Sequence, residues 1–252
     1  MSEAVEERAV DIKTPDGICD ATFVAPRGHG RWPGVVLYPD VRGMRPSNVE
    51  MAQRLAADGY CVLVVNQFYR TRKAPIFTAE FRITNPDHLA AAMALVNGLT
   101  PAMIARDAAA FVGFLDAQRV AATNAGVGVV GFCIGGNLAV RTAAAVPGRV
   151  AAVASFHGGF LVTPAPDSPH RLIAGTKAAY HFAIASDDDQ KQPGDKTALR
   201  NALDVAGLAA SLEVYPDARH GWMVPDSLPY NKEQSERGWA AMLTLFRNQL
   251  LA

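Results

Sequence analysis

Cysteine is scarce in this 252-residue chain, and the three present, Cys19, Cys61 and Cys133, are scattered and odd in number. They make no disulfide framework and read as reduced thiols of a cytoplasmic protein. No run approaches the roughly 18 apolar residues that a membrane-spanning helix needs. The first eight residues are acidic and polar, without the apolar segment of a secretory leader. Charge of one sign is missing too: 24 Lys and Arg balance 24 Asp and Glu. That balance argues against nucleic acid or an anionic membrane as partner. No His or Cys cluster has metal-ligand spacing, so neither a metal nor another cofactor is expected.

What is present is a large apolar fraction, 50% of residues, switching repeatedly between short β-rich runs and helical patterns. Residues 10–13 and 21–24 flank the turn signal Asp16-Gly17 and predict a hairpin. Strands are predicted at 35–38, 60–65, 127–130, 150–155, 180–185 and 212–215. Helices are predicted from Pro46 to Gly59 and at 106–119, 137–145, 197–206 and 235–250. Apolar strands alternating with amphipathic helices imply a mostly parallel sheet covered on both faces, a three-layer α/β/α sandwich in one domain spanning 1–252. Chemistry is then sought beyond the carboxyl ends of the strands. The polar stretch 66–101 is too long for an ordinary connection and reads as a lid-like insertion.

The most informative segment runs Val127-Gly128-Val129-Val130-Gly131-Phe132-Cys133-Ile134-Gly135-Gly136. A strand enters Gly-x-Cys-x-Gly-Gly and a helix follows, which is a nucleophile elbow with cysteine in place of serine. The flanking glycines leave room for a strained turn. The helix amino end faces the thiol and favours thiolate over thiol. Gly126-x-Gly128-x-x-Gly131 also spells a dinucleotide fingerprint, but these glycines lie within the strand. No Asp or Glu occurs between residues 117 and 166 to bind a ribose.

An elbow demands an acid and then a base, each after a later strand. Asp187, Asp188 and Asp189 follow the strand at 180–185; Asp188 is the first choice, Asp189 the second. His220, after the strand at 212–215, occupies the slot of the base. His157 ends a strand but precedes the acid, and a structural hydrogen bond or a place in the pocket wall suits it better.

With these residues in view, the chain resembles the dienelactone hydrolase family of α/β-hydrolases. Gly131-Phe132-Cys133-Ile134-Gly135-Gly136 resembles that family's elbow. Tyr215-Pro216-Asp217-Ala218-Arg219-His220-Gly221-Trp222 resembles its histidine loop, and Asn66-Gln67-Phe68-Tyr69-Arg70 sits where many members carry Asp-Leu-Tyr-x-Arg. Asp40-Val41-Arg42-Gly43 stands where the family often has Glu-x-x-Gly, its acid one methylene shorter. The resemblance implies an α/β-hydrolase fold and hydrolysis of a small lactone or ester by a monomer or small homo-oligomer. It also implies substrate contacts from Asp40, Tyr69, Arg82 and Trp222. Cys133 would attack, His220 oriented by Asp188 would serve as base, and a thioester would form. The N–H groups of Ile134 and Val41 would hold the oxyanion. A non-catalytic binding protein on the same scaffold and a thiol-dependent acyltransferase are the alternatives.

Overall fold

The computed structural model describes residues 4–251; Met1–Glu3, part of the segment read for a leader, and Ala252 lie outside it. In chain order the elements are β1 (Val5–Thr14), β2 (Gly17–Pro26), β3 (Trp32–Tyr38), α1 (Pro46–Ala57), β4 (Cys61–Val65), α2 (Pro86–Asn97), α3 (Pro101–Asp116) and the two-residue β5 (Ala121–Ala122). There follow β6 (Val127–Phe132), α4 (Ile134–Ala145), β7 (Val150–Phe156), α5 (Pro169–Leu172), β8 (Ala179–Ala185), α6 (Ser186–Lys191), α7 (Pro193–Ala206), β9 (Ala210–Tyr215) and α8 (Lys232–Leu250).

The strands form one sheet in the order β1-β2-β4-β3-β6-β7-β8-β9, with β5 beside β3. β1, β2 and β4 pair antiparallel, while every pair from β4 to β9 is parallel. The predicted hairpin is there and longer than its sequence signal, with Thr14 opposite Gly17 across the turn. Side chains alternate along each strand and so feed two cores. Val36, Val129 and Val153 pack under α3, α4 and α7 through Phe111, Leu138 and Leu203. Val35, Val130 and Ala154 pack under α1 and α8 through Leu55, Met242 and Phe246. The molecule is thus the expected α/β/α sandwich.

The register decides where chemistry can occur. Tyr38 pairs with Gly131, and Phe132 with Phe156, which pairs in turn with Ala183. Strands β3, β6, β7, β8 and β9 therefore end together, and the loops bearing Val41, Cys133, His157, Asp188 and His220 all leave the same edge.

Three helices were not foreseen: α2, α6 and the four-residue α5. α2 lies inside the stretch 66–101, capped by Asn85, whose side chain accepts from the N–H groups of Asp87 and His88. It buries only Ala92, so no apolar stripe announces it. α6, six polar residues with none buried, holds the three aspartates that the sequence placed in a turn. Among the described residues no single helix is long and apolar enough to cross a membrane; α2 and α3 together have the length but are bent by 76°.

Candidate active site

Cys133 occupies the single residue between β6 and α4, at φ 56° and ψ −122°. A non-glycine residue with positive φ costs of order 1–3 kcal/mol and persists only where its surroundings impose it. Here they do. The Cys133 N–H is shared between Phe156 O (3.1 Å) and His157 Nδ1 (3.2 Å), and its carbonyl accepts from Gly136 N (3.0 Å) and Gly159 N (2.9 Å). A Cβ on Gly131 would overlap the Gly135 carbonyl, and one on Gly135 the Tyr38 carbonyl. The two glycines let strand, turn and helix close to this distance. Cys19 and Cys61 are buried, and Cys133 is the partly exposed thiol.

The three aspartates divide their tasks. Asp188 Oδ2 lies 2.6 Å from His220 Nδ1. Asp187 Oδ1 accepts from the His220 backbone N–H at 2.8 Å, which fixes the loop. Asp189 faces the other way, its Oδ2 2.8 Å from Lys196 Nζ. The charge of Cys133 also reaches the His220 imidazole. Burial opposes an imidazolium there, but Cys133 and Asp188 outweigh it and push the His220 pKa up to about 10. The His157 ring stands 5.0 Å from that of His220. Burial first, then the charge of His220, hold His157 well below the ordinary histidine range.

The loop after β3, which leaves the same edge of the sheet as the elbow, carries Val41. As the first residue of α4, Ile134 has no intrahelical acceptor for its N–H. Among the described residues the Val41 N–H has no protein acceptor either. Gln67 pins this loop, its Nε2 donating to the carbonyls of Pro39 (3.2 Å) and Asp40 (2.9 Å). Sequence reasoning missed Gln67, although it lies within the segment quoted for its resemblance.

The residues expected to touch substrate are engaged as follows. Both Asp40 carboxylate oxygens are held at 2.8 Å by Arg45, and Oδ1 also accepts from Arg42 N. Tyr69 is buried, its hydroxyl bonded to Asp107 (2.9 Å) and Thr14 (2.6 Å). Arg82 is exposed and donates to the carbonyls of Ala79 and Phe81 in its own loop. Trp222 is wholly buried, stacked on Tyr215 with centroids 4.7 Å apart and edge-on to His157. Each was read from linear position, and each side chain is taken up by burial or by a partner closer than the thiol.

Two cavities flank the elbow. A small one of about 80 Å³ is lined by His157, Gly159, Phe160, Asp188 and His220 among others. A larger one of about 300 Å³ lies between Ile134 and Phe160 and the segment from Val96 to Ile104. Among the described residues no group of three or more His, Cys, Asp or Glu is placed to hold a metal ion. Chemically, the arrangement offers a partly exposed thiol, an imidazole and a carboxylate bonded to that imidazole.

Comparison with known proteins gives the family. Residues 19–250 match the Dienelactone hydrolase family. A Synechocystis sp. protein provisionally named carboxymethylenebutenolidase is 26% identical over 251 residues, covering 96% of this chain and 99% of the relative. Among solved structures, a dienelactone hydrolase-like promiscuous phosphotriesterase from metagenomic libraries superposes with a TM-score of 0.80 at 22% identity, covering 98% of this chain and 99% of that one. A dienelactone hydrolase from Anabaena variabilis superposes with a TM-score of 0.67 at 17% identity, covering 98% and 100%. At such identities the structures speak for the fold alone.

Proposed function

The chain belongs to the dienelactone hydrolase family, and so to the hydrolases of carboxylic esters and lactones; on that premise we propose that it cleaves such a bond with Cys133 as nucleophile, His220 as acid and base, and Asp188 as orienting carboxylate. The observation that carries this reading is the 2.6 Å contact of Asp188 with His220, whose ring stands 5.0 Å from that of His157, itself bonded to Cys133 at the strained elbow.

Sγ of Cys133, as thiolate, adds to the carbonyl carbon, and the C=O π electrons move onto oxygen. The oxyanion is received by the N–H groups of Ile134 and Val41; loss of one such donor typically costs about 3 kcal/mol of transition-state stabilisation. The C–O bond to the leaving group then breaks, and the His220 imidazolium gives its proton to the departing alkoxide. A lactone opens at this step and stays attached through a thioester. Water next attacks the thioester carbonyl while His220 takes a proton from it. The C–S bond breaks, releasing the carboxylic acid and restoring thiolate and imidazolium. Asp188 keeps the Nδ1 proton in place, so that Nε2 faces the reaction throughout. Residues 66–101 act as a lid, since Val96 and Leu99 supply part of the larger cavity wall.

The test is Cys133→Ala with activated esters and lactones. The variant is expected to fold and to lose turnover by several orders of magnitude. Iodoacetamide should label wild type rapidly near neutral pH, and substrate should slow the labelling. Turnover retained in Cys133→Ala sinks the assignment; fast labelling without turnover of any ester or lactone identifies a binding protein instead.

A further inference from the structure

We infer that the ester or lactone taken by this site is uncharged, and that its apolar arm occupies the 300 Å³ cavity beside Ile134. The inference rests on Cys133 being the nucleophile and adds the class of substrate.

Position comes first. The cavity shares Ile134 and Phe160 with the elbow. The Ile134 N–H belongs to the residue next to the nucleophile. Phe160 follows Gly159, which is bonded to the Cys133 carbonyl and lies so close that a methyl group on it would stand 4.0 Å from Sγ. The cavity thus begins one residue along the chain from the nucleophile, at Ile134.

The walls decide the chemistry. Val96, Leu99, Ile104, Leu138, Ile134 and Phe160 give the cavity its apolar surface. Arg141 is the cation in its lining, and Arg141 is committed: Nη1 lies 3.1 Å from Asp167, and Nε donates to Asn137 Oδ1 at 2.9 Å. In the smaller cavity the cation besides His220 is Lys196, bound to Asp189, and its wall carries Asp188, Asp189 and Asp195. Among the described residues, then, no unpaired Lys or Arg lines either space. Arg82, a substrate contact implied by the family resemblance, bonds to its own loop. An anionic arm would either sit unpaired against apolar walls, at a large desolvation cost, or meet carboxylates. A neutral hydrocarbon arm loses nothing there, and each methylene moved out of water contributes about 0.8 kcal/mol, roughly fourfold in affinity. A volume of 300 Å³ is at the lower end of small-molecule sites, which suits a short chain or a single ring.

The experiment compares p-nitrophenyl acetate, butyrate and hexanoate with p-nitrophenyl hemisuccinate, whose acyl chain is as long as butyrate but ends in a carboxylate. Cys133→Ala serves as the blank. We expect kcat/KM to rise roughly tenfold from acetate to butyrate, and hemisuccinate to fall at least about tenfold below butyrate. Leu99→Trp, a partly exposed position between α2 and α3, is expected to fill the cavity and bring the butyrate-to-acetate ratio towards one. If hemisuccinate equals or exceeds butyrate, Arg141 has released Asp167 to take the acid and the inference is overturned, while Cys133-dependent turnover still stands. A flat chain-length series that Leu99→Trp does not alter overturns it as well. If none of the four esters is cleaved in a Cys133-dependent way, the underlying reading fails and takes this one with it.

Discussion

Nδ1 of His157 accepts a hydrogen bond from the backbone nitrogen of Cys133 at 3.2 Å, and both residues hold positive φ, 39° and 56°. A ring nitrogen that accepts carries no proton, so the neutral ring of His157 bears its proton on Nε2. Two imidazoles 5.0 Å apart are thus pushed in opposite directions, His157 towards neutral and His220 towards charged. Under the proposed mechanism the two would divide the work, one moving protons and the other holding the turn.

His157→Asn tests the second role. Asparagine tolerates positive φ better than most residues, so the backbone is expected to keep its path while the acceptor is lost. One hydrogen bond of about 1–1.5 kcal/mol, reflected in the placement of Sγ, corresponds to roughly a tenfold lower kcat, with KM nearly unchanged. Equal kcat in the two proteins would show that Phe156 O and the glycines hold the elbow unaided.

The raised pKa of His220 sets an alkaline limit. Its folded value, about 10, lies above the ordinary 6.5. Between those values the folded protein keeps a proton that the unfolded chain has released. Its stabilising contribution is therefore complete below 6.5, shrinks as pH rises, and is gone once the folded imidazolium deprotonates near 10. Activity should follow the same group, with kcat/KM holding to about pH 9 and then falling as the proton donor to the leaving group is lost. NMR titration of the His220 ring reads this directly. In Cys133→Ala the charge that contributes most to the rise is absent, and the midpoint should move down. A midpoint unmoved by that substitution would mean that the sulfur and the ring are not coupled.

Asp188 and Asp189 separate by function. Asp188→Asn removes the charge from His220 Nδ1 and permits the wrong tautomer, a change expected to lower kcat by about 10³–10⁴. Asp189→Asn loses an ion pair to the partly exposed Lys196, worth at most about 1 kcal/mol, and should keep most of the activity. Equal losses in the two variants would contradict the division of tasks seen around α6.

That Cys133, Asp188 and His220 each follow a strand was legible, because strands announce themselves by short apolar runs. Cys133 was named from the glycine-flanked turn after its strand, and His220 from its place after a later one. The choice among Asp187, Asp188 and Asp189 was not fixed, because it turns on one helical turn of six polar residues that bury nothing and leave no periodic signal. α2 escaped for a related reason, although Asn85-Pro86-Asp87 is a capping signal in plain view. Tyr69, Arg82 and Trp222 were assigned to the substrate from linear alignment, which says where a residue falls along the chain and nothing about which way it turns. Gln67 and Arg45 act through contacts distant in sequence, which no local pattern encodes.

Arg45 makes the point in energy. Nη1 and Nη2 grip the two oxygens of Asp40 at 2.8 Å each, while Nε and Nη2 hold those of Asp226 at 2.8 and 2.9 Å. One buried guanidinium so ties the loop that presents Val41 to the segment that follows His220. Burial works against its charge, and the two carboxylates more than restore it. Arg45→Met keeps the approximate length but leaves Asp40 buried and unpaired, and breaking a buried pair in this way costs about 3–5 kcal/mol. Urea unfolding should register a loss of that size. Replacing the orphaned acid as well, in Arg45→Met with Asp40→Leu, should recover part of the stability, because the uncompensated charge is gone. Activity should not recover with it, since the tie between the two loops stays cut. A double variant no more stable than Arg45→Met would show that the cost came from lost packing and not from the stranded carboxylate.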